Sequence, residues 1–127
     1  MPENPTQRTV LAWKMAAARK EKPALTASEI GKIGVRILVT ILRHTCQNVK
    51  PGIRLPGATG IEADGNGVGY LVQVKTAVSP NTPADLSANE AHNITSRARL
   101  TNRTALLAKV TINSEGLRVG DIEWTKL

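Results

Sequence analysis

From Ile30 to Leu42 the apolar residues recur at helical spacing. Ile30, Ile33, Ile37, Leu38, Ile41 and Leu42 fall on one side of a helix. Thr26-Ala27-Ser28-Glu29 ahead of them is a capping box, in which the Thr hydroxyl and the Glu carboxylate satisfy each other's free backbone N–H groups. Together they predict a helix from Thr26 to about Cys46. Lys32, Arg36 and Arg43 share its other side. A helix this apolar along one stripe has to bury it against a second layer, so the rest of the chain must supply one.

Residues 48 to 60 contain Pro51, Gly52, Pro56, Gly57 and Gly60 and read as a connecting loop. Gly60 to Asp64 and Tyr70 to Ala77 read as strands around Gly65-Asn66-Gly67, a hairpin signal. Thr82 is expected to cap a helix with Pro83 first and Asp85 third, running to about Asn102 on a thin stripe of Ala91, Ile94, Ala98 and Thr101. Ala105 to Ile112 and Leu117 to Trp124 read as strands joined by Asn113-Ser114-Glu115-Gly116, with a bulge at Gly120-Asp121 where the apolar parity changes. At the other end, Asn4-Pro5-Thr6-Gln7 opens a basic amphipathic helix with Val10, Trp13 and Ala17 on one face, closed by Glu21-Lys22-Pro23. The expected order is α α β β α β β. It describes an α+β fold of N-terminal helices, a small mixed sheet with a central hairpin, one further helix and a C-terminal β-hairpin. The 127 residues form one domain: a basic helical segment over 1–24 and an α+β core over 25–127.

Charge narrows the partners. The chain carries 17 Lys and Arg against 10 Asp and Glu, and the whole excess lies in residues 1 to 54, which hold ten basic and three acidic side chains. Clustering of this kind is the electrostatic footprint of nucleic-acid contact. The candidates are Arg8, Lys14, Arg19, Lys20, Lys22, Lys32, Arg36 and Arg43. With one Tyr, two Trp and no Phe, a base-stacking platform is disfavoured and contact through backbone phosphates is the expected mode. Cys46 is the only cysteine, which excludes a disulfide scaffold. The longest apolar run, Ile37 to Leu42, is far too short to span a membrane, so no membrane partner is expected. Met1-Pro2-Glu3-Asn4-Pro5 lacks the apolar core of a signal peptide, and a cytoplasmic or virion-associated location is expected. His44 and His92 have no partners at zinc-ligand spacing.

The hairpin holds the residues that could do chemistry. If Asn66-Gly67 forms a two-residue turn, Asp64 faces Gly69, Glu62 faces Leu71 and Gly60 faces Gln73. Even positions of the first strand then share a face with Leu71, Gln73 and Lys75, while Val72 and Val74 point to the other side. A carboxylate and a second oxygen ligand suit Mg²⁺, and a nearby ammonium would orient the attacking water or stabilise developing charge on a phosphate. The segment Gly60-Ile61-Glu62-Ala63-Asp64 followed by Gln73-Val74-Lys75 resembles the PD-(D/E)xK nuclease superfamily, in its variants with Gln replacing the second acid. Mrr-like restriction endonucleases and the TnsA transposition endonuclease are such variants. The resemblance covers residues 26 to 112 in element order: a helix bearing a Glu, a hairpin with Asp then Gln-x-Lys, a helix and a strand. It implies a DNA endonuclease in which Asp64 and Gln73 hold the metal, Lys75 is catalytic and Glu29 assists at the metal or its water, with Glu62 competing for the acid position. No Pro precedes Asp64. The rival expectation is a self-assembling coat or nucleoprotein subunit, a homo-oligomer whose basic N-terminal segment neutralises packaged nucleic acid.

Overall fold

The computed structural model describes residues 24–55 and 58–127. The first described element, α1 (Ala27–Thr45), begins where the capping box predicts. The Thr26 hydroxyl accepts from the Glu29 N–H, and the Glu29 carboxylate accepts from the Thr26 N–H. Its apolar stripe buries Leu38, Val39 and Leu42.

The second layer is one five-stranded sheet in chain order: β1 (Gln47–Leu55), β2 (Ala58–Gly65), β3 (Val68–Val78), β4 (Thr104–Ile112) and β5 (Glu123–Lys126). β3 and β4 are parallel and the other neighbours antiparallel. The parallel pair needs a long crossover, which contains the second helix, α2 (Ala88–Leu100). The fold is α+β, with a mixed sheet between two helices.

The strand parity assigns each helix its side. Ile61, Ala63, Val72, Ala108, Val110 and Ile112 pack against Leu38, Val39 and Leu42 of α1. Leu55, Leu71 and Ala105 meet Ile94 and Ala98 of α2. Leu71 and Val72 are consecutive, so the two helices cover opposite faces. The α1 face carries the larger core. Where α1 crosses β3 the fit is close, because Gly34 lies directly over Thr76.

The hairpin takes the two-residue turn. Asn66 and Gly67 have φ of 51° and 77°, the positive values a type I′ turn requires at both central positions. Gly65 pairs with Val68, Asp64 with Gly69, Glu62 with Leu71 and Gly60 with Gln73. Glu62, Asp64, Gln73 and Lys75 therefore share the α2 face.

Four expectations are corrected. Residues 47–55 form an edge strand, not a loop. The Gly and Pro there mark bulges, with register shifts on both sides of Lys50 and positive φ at Asn48 and Gly52, and an edge position tolerates Pro51. Its addition makes the described order α β β β α β β. The second helix starts at Ser87, not Thr82, and ends at Leu100. Ser87 and Glu90 form a reciprocal capping box, and Glu90 has further partners in the sheet. The last strand is only Glu123–Lys126: Arg118 makes a lone bridge to Ile112, and Gly120 with φ of 72° breaks the run where a bulge is expected. The predicted helix over residues 5–20 lies outside the described residues.

Candidate nucleic-acid interface

On an α-helix, positions 32, 36 and 43 fall within about 40° of one another around the axis and span ~16 Å along it. Lys32, Arg36 and Arg43 are therefore a single exposed stripe on α1. The ion pairs between described residues engage Lys75, Arg103 and Lys109, and none of these three. The stripe borders a groove of about 980 Å³ between α1 and the Pro51-Gly52 bulge of β1. Val35, Val39 and Val74 give it an apolar floor, and Lys75 also lines it. Three cations expected from sequence to contact phosphate thus border one groove. Arg8, Lys14, Arg19, Lys20 and Lys22 lie outside the described residues.

Lys75 is held from the other side of the sheet. Its Nζ donates to Glu90 Oε2 at 2.6 Å, and the amide of the buried Gln73 donates to the same oxygen at 3.1 Å. The other carboxylate oxygen of Glu90 caps α2 at Ser87. The Lys75 ammonium, then the Ser87 N–H, hold the Glu90 carboxyl down at about 2, against an ordinary 4.5. On the neighbouring strand, Lys109 pairs with Lys75 in register and is bonded by Asp85 from the crossover. That contact raises the Lys109 pKa and lowers that of Asp85.

Glu62 and Asp64 belong to a different cluster. Arg103, just after α2, forms an ion pair with Glu62, Nε to Oε2 at 3.1 Å, and donates through Nη1 to Asp64 at 3.0 Å and to the Ala63 and Tyr70 carbonyls at 3.3 Å. The Asn48 side chain donates to the other Asp64 oxygen, and this bond first, with Arg103 adding to it, lowers the Asp64 pKa.

The expected metal ligands do not converge. Gly60, not an acid, is opposite Gln73, and Asp64 is four residues further along β2, about 13 Å at ordinary strand rise. The Gln73 amide is turned to Glu90 and both acids face a guanidinium, so this donor set as arranged does not suit Mg²⁺. Among the described residues no group of three His, Cys, Asp or Glu side chains is placed to hold a metal. Glu29 is brought to Thr26, whose backbone N–H is the main cause of its lowered pKa.

Sequence reasoning missed Glu90 and Arg103. Ser87-x-x-Glu90 is a legible capping box that was available as a signal. For Arg103 no comparable signal exists, since its partners lie about forty positions away in sequence. Among the described residues no helix is long and apolar enough to cross a membrane. Comparison with protein-family models, curated proteins and solved structures returns no match.

Proposed function

We propose that this protein binds nucleic acid through phosphate contacts made by Lys32, Arg36 and Arg43 along the groove beside α1. The observation carrying this reading is the α1 stripe: three aligned cations without a carboxylate partner among the described residues, beside a groove large enough to hold part of a chain. Such contacts bind any sequence and weaken steeply with salt. The test is fluorescence anisotropy of a labelled oligonucleotide at several salt concentrations. Replacing all three residues by Ala is expected to weaken binding and to reduce the salt slope by about 2, at ~0.7 to 0.9 per lost phosphate contact. An unchanged slope refutes the assignment.

Cleavage is the second reading. What favours it is that the element order implied by the nuclease resemblance, from α1 through the β2–β3 hairpin and α2 to β4, is the order of this chain, with Gln73 and Lys75 side by side on one face. Plasmid and branched DNA incubated with Mg²⁺ or Mn²⁺ tests it, with Lys75→Ala as control. No cleavage, or cleavage indifferent to that substitution, removes it while leaving the binding reading intact.

A further inference from the structure

We infer that the groove between α1 and β1 accepts a single unpaired nucleic-acid strand in preference to a duplex, a reading that rests on the proposed nucleic-acid binding. The shape comes from small residues. Ala27, Ser28 and Gly31 leave the α1 wall bare near its N-terminus, and a Cβ placed on Gly31, or on Gly52 across the groove, meets no atom within 4 Å. The β1 wall departs from regular pairing there, with register shifts between Gln47 and Ile53 that bend the edge strand at Pro51-Gly52.

The lining has two chemistries at two depths. Val35, Val39 and Val74 are half-buried or buried and form the floor, while Lys32, Arg36 and Arg43 are exposed along the rim. A duplex is a rigid rod whose bases face inward; its phosphates reach the rim cations, but nothing of it covers the floor. An unpaired strand is flexible, exposes sugar and base faces, and satisfies both layers: phosphates on the rim, apolar faces on the valines. The groove's 980 Å³ lies at the upper end of the ~300–1,000 Å³ of sites that enclose one ligand. That admits a short stretch of one strand on the floor, whereas a duplex would meet only the rim. No aromatic residue lines the groove, so the valine floor, not ring stacking, would cover the sugar and base faces.

The experiment compares labelled oligothymidylate with a hairpin duplex of equal phosphate number, by anisotropy on the full chain at several salt concentrations. Gly31→Trp is the discriminating variant: it fills the open space above the floor and leaves every rim cation in place. The single strand is expected to bind at least tenfold tighter than the duplex. Gly31→Trp should weaken the single strand by tenfold or more and leave the duplex within twofold, with circular dichroism and thermal melting reporting that the variant is folded. A duplex that binds as tightly as the single strand overturns the inference. So does single-strand affinity unchanged in folded Gly31→Trp, which assigns the groove to another occupant such as residues 1–23. Loss of both affinities on replacing the three rim cations, together with the Gly31→Trp selectivity, supports it. If neither form binds to the unaltered chain, the underlying nucleic-acid reading has failed, a result distinct from failed strand preference.

Discussion

Replacing Glu90 by Gln tests whether its charge, and not merely its shape, holds Lys75. One Glu90 oxygen caps α2 and the other accepts from Gln73 and Lys75, and both side chains of the ion pair are about four-fifths covered, at 18% and 23% exposure. Gln can still close a capping box with its single oxygen, so the helix start survives, and what is lost is the ion pair with Lys75 together with the acceptor for the buried Gln73 amide. Glu90 titrates at about 2 when folded, against an ordinary 4.5. The folded pKa is depressed, so the stabilisation is fully present above the unfolded value of 4.5 and is lost as pH falls toward 2. At full strength that difference is worth about 3 kcal/mol. The pair lies where solvent reaches one side, and screening reduces it to ~1–2 kcal/mol. Urea denaturation followed by far-ultraviolet circular dichroism should show Glu90→Gln less stable by about that amount near neutral pH, with an unchanged denaturant slope. The gap should close as pH is lowered through the window from 4.5 to 2. A gap that stays constant through the window attributes the cost to packing or to the cap; no gap near neutral pH means the ion pair contributes nothing.

Three further outcomes follow from particular contacts. Gly34→Ala would overlap Thr76 Oγ1 and place a carbon 2.9 Å from Thr76 Cβ, so the helix or strand must move; overpacking of ~1–3 kcal/mol outweighs the ~1 kcal/mol that Ala gains in a helix, and denaturation should show a net loss. A variant as stable as the parent would mean that the helix–sheet spacing yields freely. Arg103→Met removes the ion pair with Glu62 and the hydrogen bonds to Asp64 and to the Ala63 and Tyr70 carbonyls, and is expected to cost about 2–3 kcal/mol in the same assay, more than Glu90→Gln. A smaller effect than that of Glu90→Gln refutes its role as the clamp on this corner. Asp85→Asn should leave the denaturation midpoint unchanged, because Asp85 is almost fully exposed where it meets Lys109; a clear drop would show that the crossover is pinned there.

How legible each part was depended on whether the determining interactions were local. α1 was readable because its period and its capping box agree over twenty residues, and the hairpin register followed from the positive φ that Asn66-Gly67 supplies. β1 was not readable: its Gly and Pro are loop signals by local rules, and only pairing with β2 turns them into bulges of an edge strand. The start of α2 is expected at Thr82-Pro83, but the chain uses a second local signal, Ser87-x-x-Glu90. The second prevails because Glu90 also satisfies Gln73 and Lys75, contacts that exist only once α2 lies on the sheet.

The same distinction explains the candidate site. With the two-residue turn, strand parity puts Glu62, Asp64, Gln73 and Lys75 on one face, but parity says nothing of distance along a strand. Asp64 sits at the turn end of the hairpin and Gln73 four rungs inward, so each found a different long-range partner, Arg103 for the acids and Glu90 for the amide and ammonium. Those partners neutralise charges on the α2 face that a phosphate or a metal would otherwise meet. On the α1 side, Lys32, Arg36 and Arg43 have no carboxylate partner among the described residues, and a polyanion arriving there displaces counterions rather than an internal salt bridge. Lys75 belongs to the α2 face. Its strand position borders the groove, but its ammonium is turned to Glu90 on the opposite face of the sheet, so Glu90→Gln should lower stability and leave nucleic-acid binding by the α1 stripe within twofold. Anisotropy on that variant measures this directly, and a clear change in affinity at unchanged fold would mean that phosphates also meet the α2 face.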